Sequence, residues 1–243
     1  MLKAERNFHG IKIQQYQLGY ISIELETYFN DETFTGQRTL LASNVYVLHI
    51  DQTIWILDSA YSDSIQIDYI KPKLSHRFAE LVDQFSAYKN VNLLISHAHP
   101  DHIGGLIENF AAIKRMNWRI FFNLSDWKKT EYLLYPPVQD FIENELKSYA
   151  NLFPIDRSEY FKTLYKGGHT SDHAVIAMKK HPLIYPADLI PTVYHLSHLP
   201  KGEKNSDQTS FESIRERLLS DIEKMKPLLL LPHAPNSGFF EVK

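Results

Sequence analysis

The sequence predicts an α/β protein in which sheets are covered by helices rather than a helical bundle. Three observations lead there. The first part of the chain holds runs that alternate apolar and polar residues with period two, the mark of half-buried strands. Beyond residue 74, short apolar strands alternate with amphipathic helical segments. The chain has 243 residues, 44% hydrophobic and 13% aromatic, enough for a substantial core. No repeat, low-complexity tract or linker interrupts it, so a single domain over residues 1–243 is expected.

Taken in order, residues 10–16 and 20–25 alternate as strands. Residues 42–50 and 53–58 are rich in β-branched and aromatic residues and form a hairpin turning at Asp51-Gln52. In residues 74–88 the apolar positions Leu74, Phe78, Leu81, Val82 and Phe85 have helical spacing. Residues 91–95 are a short buried strand. A helix is expected from near Ile103 towards Met116, with Gly104-Gly105 at its start allowing close backbone approach to whatever the preceding loop binds. Residues 118–122 form another strand. Residues 126–134 and 138–152 look helical, separated by Tyr135-Pro136-Pro137. Strands follow at 161–165, 174–178 and 182–185. Residues 201–210 are a polar surface loop, 211–225 an amphipathic helix and 227–231 a last buried strand.

The formal net charge is -3, so no broad electrostatic surface for nucleic acid is implied. Cysteine is absent, which excludes disulfides, thiolate metal ligands and a thiol nucleophile. The opening residues 1–7 mix charges and lead into no apolar core, so no secretory signal is expected. The longest purely aliphatic stretch, residues 228–231, is far too short to cross a bilayer. A soluble, cytoplasmic protein with neither membrane nor nucleic-acid partner is the expectation.

The densest chemistry lies in Ser96-His97-Ala98-His99-Pro100-Asp101-His102, directly after the buried strand. Three imidazoles and a carboxylate in six positions, out of 12 His in the chain, are hard to explain by core packing. These donors suit zinc, and also iron or manganese. Later in the chain stand Gly167-Gly168-His169-Thr170, then Pro186-Ala187-Asp188 after a strand, then Pro232-His233-Ala234. Any one of these alone is a weak signal: a turn histidine, a strand-end Asp, a surface His.

In this order and rough spacing they resemble the metallo-β-lactamase fold superfamily, over nearly the whole chain from residue 44 to His233. The resemblance implies a four-layer αββα sandwich with metals at one edge. It implies two divalent ions, zinc first, with His97, His99 and His169 holding one, Asp101, His102 and His233 the other, and Asp188 bridging both. Asp58, at the end of its strand, would orient a ligand imidazole through the remaining N–H. His173 would be structural or support a ligand rather than bind metal.

The implied reaction is hydrolysis of a small ester, lactone, amide, thioester or phosphoester by a hydroxide shared between two cations. Asp101 is a catalytic candidate as well as a ligand, steering the nucleophile or holding a proton. An iron-dependent dioxygenase of the same fold and a non-catalytic regulatory domain are the alternatives. Residues 187–192 and 123–127 resemble a bacterial subgroup related to acyl-homoserine lactonases and organophosphate hydrolases. Lactonases of that type carry a substrate-binding Tyr three positions after the bridging Asp. Here Pro191 stands there, and the nearest tyrosine is Tyr194. Tyr194 and His195 are therefore pocket candidates for hydrogen-bonding a substrate carbonyl, with ordinary aromatic packing the other reading. The aromatic, proline-broken patch at residues 132–137 fits a pocket wall, a helix contact or a homodimer surface equally well.

Overall fold

The side chains of β4 (Thr53–Leu57) are buried from Ile54 onward and alternate between two cores. Ile54 and Ile56 face one, Trp55 and Leu57 the other. A strand buried on both faces must lie between two layers, and the computed structural model shows those layers. It describes residues 1–26, 35–65, 71–74, 76–127, 135–198 and 208–243.

The first sheet has eight strands. β1 (Leu2–Phe8), β2 (Ile11–Glu24), β3 (Arg38–Ile50) and β4 run as an antiparallel meander, and β5 (Lys71–Leu74) also pairs with β2. β6 (Val91–Leu94), β7 (Arg119–Phe121) and β8 (Leu152–Phe153) then add in parallel after β4. The second sheet has the order β13-β12-β11-β10-β9. Its strands are β9 (Phe161–Lys166), β10 (Ala174–Met178), β11 (Leu183–Tyr185), β12 (Leu228–Leu230) and β13 (Phe239–Glu241). β11 and β12 are parallel and the other pairs antiparallel.

Three apolar layers hold these sheets together. On the outer face of the first sheet, α1 (Phe78–Phe85), α2 (Pro100–Arg115) and α3 (Pro136–Asn144) bury Phe78, Leu106, Phe110 and Phe141 against Val47, Ile56 and Leu93. Between the sheets, Tyr46, Trp55 and Phe121 meet Phe161, Ile176 and Tyr185. The Trp55 and Phe161 rings lie 5.0 Å apart. On the outer face of the second sheet, α4 (Gln208–Met225) buries Phe211, Leu218 and Ile222 against Val175, Ile184 and Leu229. The order helix, sheet, sheet, helix is the αββα sandwich.

Several elements differ from the sequence expectation, each for a local reason. β1 has only half-buried and exposed positions, so its edge pattern is faint. β2 is continuous across residues 17–19, where a register shift lets Gly19 pass β5; a Cβ on Gly19 would lie 2.7 Å from the Lys73 carbonyl oxygen. The Leu74–Tyr88 segment begins as strand, and its helix is confined to Phe78–Phe85. The helix after the His-rich loop starts at Pro100, not Ile103. Proline's fixed φ suits the first helical position, where its missing N–H leaves no bond unmade.

Pro136 likewise opens α3 instead of only breaking a helix, and α3 ends at Asn144 because Leu152 and Phe153 join the sheet beside β7. Residues 124–126 form a single 3-10 turn and Trp127 is extended, so no helix starts at Asp126; residues 128–134 lie outside the described set. Of the expected loop at 201–210, residues 201–207 also lie outside it, and 208–210 are the first turn of α4. β13 follows β12, so residues 227–231 are not the last strand. Gly104 and Gly105 do permit a close approach, but to their own chain. A Cβ on Gly105 would lie 2.1 Å from the Ser59 carbonyl oxygen.

Candidate metal centre

Ligands of α/β sheets gather beyond the carboxyl ends of parallel strands. Here four such ends supply the polar residues: Asp58 follows β4, His97 to His102 follow β6, Asp188 follows β11 and His233 follows β12. His169 sits in the turn between β9 and β10, at the same end of the second sheet as Asp188. Gly167 and Gly168, at φ 77° and 89°, make that turn.

The seven expected ligands come together as two groups. His97, His99, His169 and Asp188 form one, Asp101, His102, Asp188 and His233 the other. Within each group the donor atoms lie within 4.8 Å of one another. Asp188 belongs to both through different oxygens. Its Oδ1 lies 3.2 Å from His102 Nε2 and 3.3 Å from His233 Nε2. Its Oδ2 lies 3.4 Å from His169 Nε2 and 3.9 Å from His97 Nε2. His99 turns Nδ1 inward, 3.0 Å from both His97 Nε2 and His169 Nε2. Asp101 Oδ2 lies 3.5 Å from His233 Nε2. Proline at position 100 makes this possible: His97 and His99 precede α2 on extended backbone, while Asp101 and His102 ride its first turn.

The donor set fits divalent cations. His97, His99, His102 and His233 are buried. Among the described residues, the buried His102 Nε2 and Asp188 Oδ1 make no well-directed hydrogen bond, although they are 3.2 Å apart. Buried polar atoms left in this way need a partner. Imidazole and carboxylate oxygen, without thiolate, suit zinc, iron or manganese.

Electrostatics divide the two groups. Burial, with His102 and His99 beside it, pushes the His97 imidazole well below its usual range. Burial would lower His102 too, but Asp188, Asp101 and Asp58 outweigh it and raise that imidazole. Burial opposes and Asp188 raises His233 in the same way. Asp188 itself stays well below the usual carboxylate range: its burial is outweighed by His102 and His233.

A second layer of contacts holds the donors. Asp58, left-handed at φ 59°, accepts from the Ser96 N–H on Oδ1 at 2.7 Å. Its Oδ2 takes the Ser96 hydroxyl at 2.8 Å and faces His102 Nδ1 at 2.7 Å. This is the contact that the expected orienting role requires. His233 Nδ1 faces the Ala42 carbonyl at 2.7 Å. His173 is fully buried, and its Nε2 accepts the backbone N–H of Asp188.

Sequence reasoning missed three supporting residues. Ser96 bridges Asp58 and, at 3.0 Å, His97 Nδ1. Asp172 accepts the Ala98 N–H at 2.8 Å, tying the two histidine loops together. Tyr185 donates its hydroxyl to Asp58. The signal for Asp172 was its place between His169 and His173. Nothing local marked Tyr185.

The remaining candidates are placed as follows. Tyr194 stacks on His198 at 3.7 Å, and His195 is buried with Nδ1 2.8 Å from Thr192 Oγ1. Arg215 of α4 donates to the carbonyls of His195 and His198, fixing this segment. The carbonyl of Pro191 accepts the N–H of His233. Of the patch at 132–137, residues 132–134 lie outside the described set, and Tyr135 packs edge-on at 5.7 Å from the His99 ring. Among the described residues no helix is long and apolar enough to cross a membrane.

No protein-family model and no curated protein matches the chain. Solved structures do. AidC, a dizinc quorum-quenching lactonase solved with the product N-hexanoyl-L-homoserine, superposes with a TM-score of 0.72 at 15% identity, over 98% of this chain and 92% of its own. The hydrolase AbOPH of the β-lactamase superfamily gives 0.72 at 16% identity, over 99% and 92%. A probable metal-dependent hydrolase from Staphylococcus aureus gives 0.67 at 14%, over 92% and 89%. The architecture described above is the metallo-β-lactamase fold.

Proposed function

We propose that this chain, built on the metallo-β-lactamase fold, is a dinuclear metal-dependent hydrolase. The observation that carries the reading is the division of Asp188, one oxygen towards each donor group. His97, His99 and His169 would hold one cation, Asp101, His102 and His233 the second, and Asp188 both, with zinc the first metal to test. Held there, two divalent cations would supply a water that ionises near neutral pH and would polarise the bond under attack.

The chain's own residues do the rest. Asp58 keeps His102 in the tautomer that presents Nε2 to the site. Asp101, the most exposed carboxylate facing this group, is placed to hold a proton in transit. Tyr135 lines the His99 side and favours an apolar portion of substrate. Tyr194 and His195 are proposed as pocket residues on the side of Pro191.

The substrate class is a small ester, lactone, amide, thioester or phosphoester. N-Acyl homoserine lactones come first for testing, because AidC was solved with such a product. The dioxygenase alternative needs a single iron, and the completeness of the second donor group weighs against it.

Elemental analysis of protein purified without added metal tests the reading. About two zinc, manganese or iron per chain, with hydrolysis of at least one member of a lactone, thioester, phosphodiester and phosphotriester panel, supports it. Asp188→Ala should lose both metal and turnover while keeping its far-UV circular dichroism. One iron per chain with oxygen consumption, or full turnover in the Asp188 variant, overturns it.

A further inference from the structure

The three imidazoles whose outer nitrogen has a described partner are not backed alike. His97 Nδ1 faces a serine hydroxyl and His233 Nδ1 a backbone carbonyl. His102 Nδ1 faces a buried carboxylate, Asp58. A charged acceptor makes the opposite ring nitrogen a stronger donor and fixes the ring plane more firmly. Whatever holds Asp58 therefore acts on His102 directly, and on His97 of the other donor group only at one remove, through the Ser96 hydroxyl.

Asp58 Oδ2 is shared. Besides His102 and the Ser96 hydroxyl it accepts the phenolic O–H of Tyr185 at 2.5 Å. Tyr185 is the last residue of β11, three positions before Asp188, and is completely buried. Its ring packs edge-on against Tyr46, 6.1 Å away, in the core between the sheets. Tyr46 in turn donates to the Leu231 carbonyl at 2.7 Å, two residues before His233. Asp58 belongs to the first sheet and Tyr185 to the second, so this hydrogen bond spans the sandwich directly beneath the site. Phenylalanine would fill the same core volume; the hydroxyl is there for Asp58.

We propose that Tyr185 is a positioning residue that, through Asp58, acts more strongly on the cation affinity of the Asp101–His102–Asp188–His233 group, whose His102 Asp58 touches directly, than on the His97–His99–His169 group, which Asp58 reaches only through the Ser96 hydroxyl. The inference rests on the dinuclear reading above. Its chemistry is orientation only: the phenol keeps its proton, and no bond is made or broken.

The experiment is a stepwise zinc titration of metal-free full-length protein against a chromophoric chelator. Wild type should give two constants. Tyr185→Phe should weaken one of them by about 10-fold, the low end of the effect of removing a ligand's own outer partner, and weaken the other clearly less. In an Asp58→Asn background the same change should have no further effect, because the route runs through the carboxylate. A merely structural tyrosine would lower thermal stability and shift both constants together. Two unchanged constants, two equally weakened ones, or an undiminished effect in the Asp58→Asn background would overturn the proposal. Failure of the wild type to take up two zinc would instead overturn the dinuclear reading itself.

Discussion

The backbone N–H of Asp188 donates to Nε2 of His173, 3.2 Å away. His173 thereby fixes the peptide from which Asp188 divides its oxygens between the two donor groups, while its ring packs 5.1 Å from His97. The preceding residue, Ala187, sits at a left-handed φ of 46°, which costs a non-glycine residue about 1 kcal/mol. The contact with His173 is one of those holding that conformation.

Replacing His173 by Ala should leave a buried N–H without its acceptor and a void under His97. The expected loss is about 2–4 kcal/mol in urea unfolding, combining both effects. His173→Gln, which keeps an acceptor, should recover part of it. Equal stabilities for wild type and the Ala variant would show that the contact contributes nothing.

Metal removal should destabilise the whole domain. The donors come from both sheets, so cations bound only by the folded chain stabilise it by linkage. At a free metal concentration 100 times the dissociation constant this is about 2.7 kcal/mol per site, some 5–10 °C in the melting midpoint for a chain of this size. Differential scanning calorimetry with and without a chelator measures it.

Gly105 is fixed by contact, not by conformation. A Cβ there would lie 2.1 Å from the Ser59 carbonyl and 2.6 Å from Phe78 Cβ. Gly105→Ala should push α2 away from the 58–62 segment, costing about 3 kcal/mol or more and disturbing the Asp58–His102 contact. A fully stable Ala variant with unchanged zinc content would contradict the packing described.

The donors were legible in the sequence because chemistry concentrates them: three histidines and an aspartate in six positions, then His169 after a glycine, Asp188 two residues after a proline and His233 after a proline. The strand Thr53–Leu57, rich in β-branched and aromatic residues, and the amphipathic helix over residues 211–225 were legible too, but the first turn of that helix, 208–210, was read as loop. What stayed hidden depends on contacts between distant segments. β1 is an edge strand without a buried face of its own. Pro100 and Pro136 look like breakers and act as helix starts. The purpose of Gly105 appears only when residues 59 and 78 are brought against it. Tyr185 is indistinguishable in sequence from any core aromatic, since its partner lies 127 positions away.

Four of the seven donors ride on the first sheet and three on the second, and the seam between the sheets is closed by large side chains such as Trp55, Phe161 and Tyr46. A small relative slip of the two layers therefore pulls the cations' holders apart while every strand keeps its own ladder. Warming should extinguish catalysis several degrees before the backbone signal changes. A cavity at Trp55, remote from the chemistry, should widen that interval; coincident loss of turnover and ellipticity in both proteins would show the seam to be rigid.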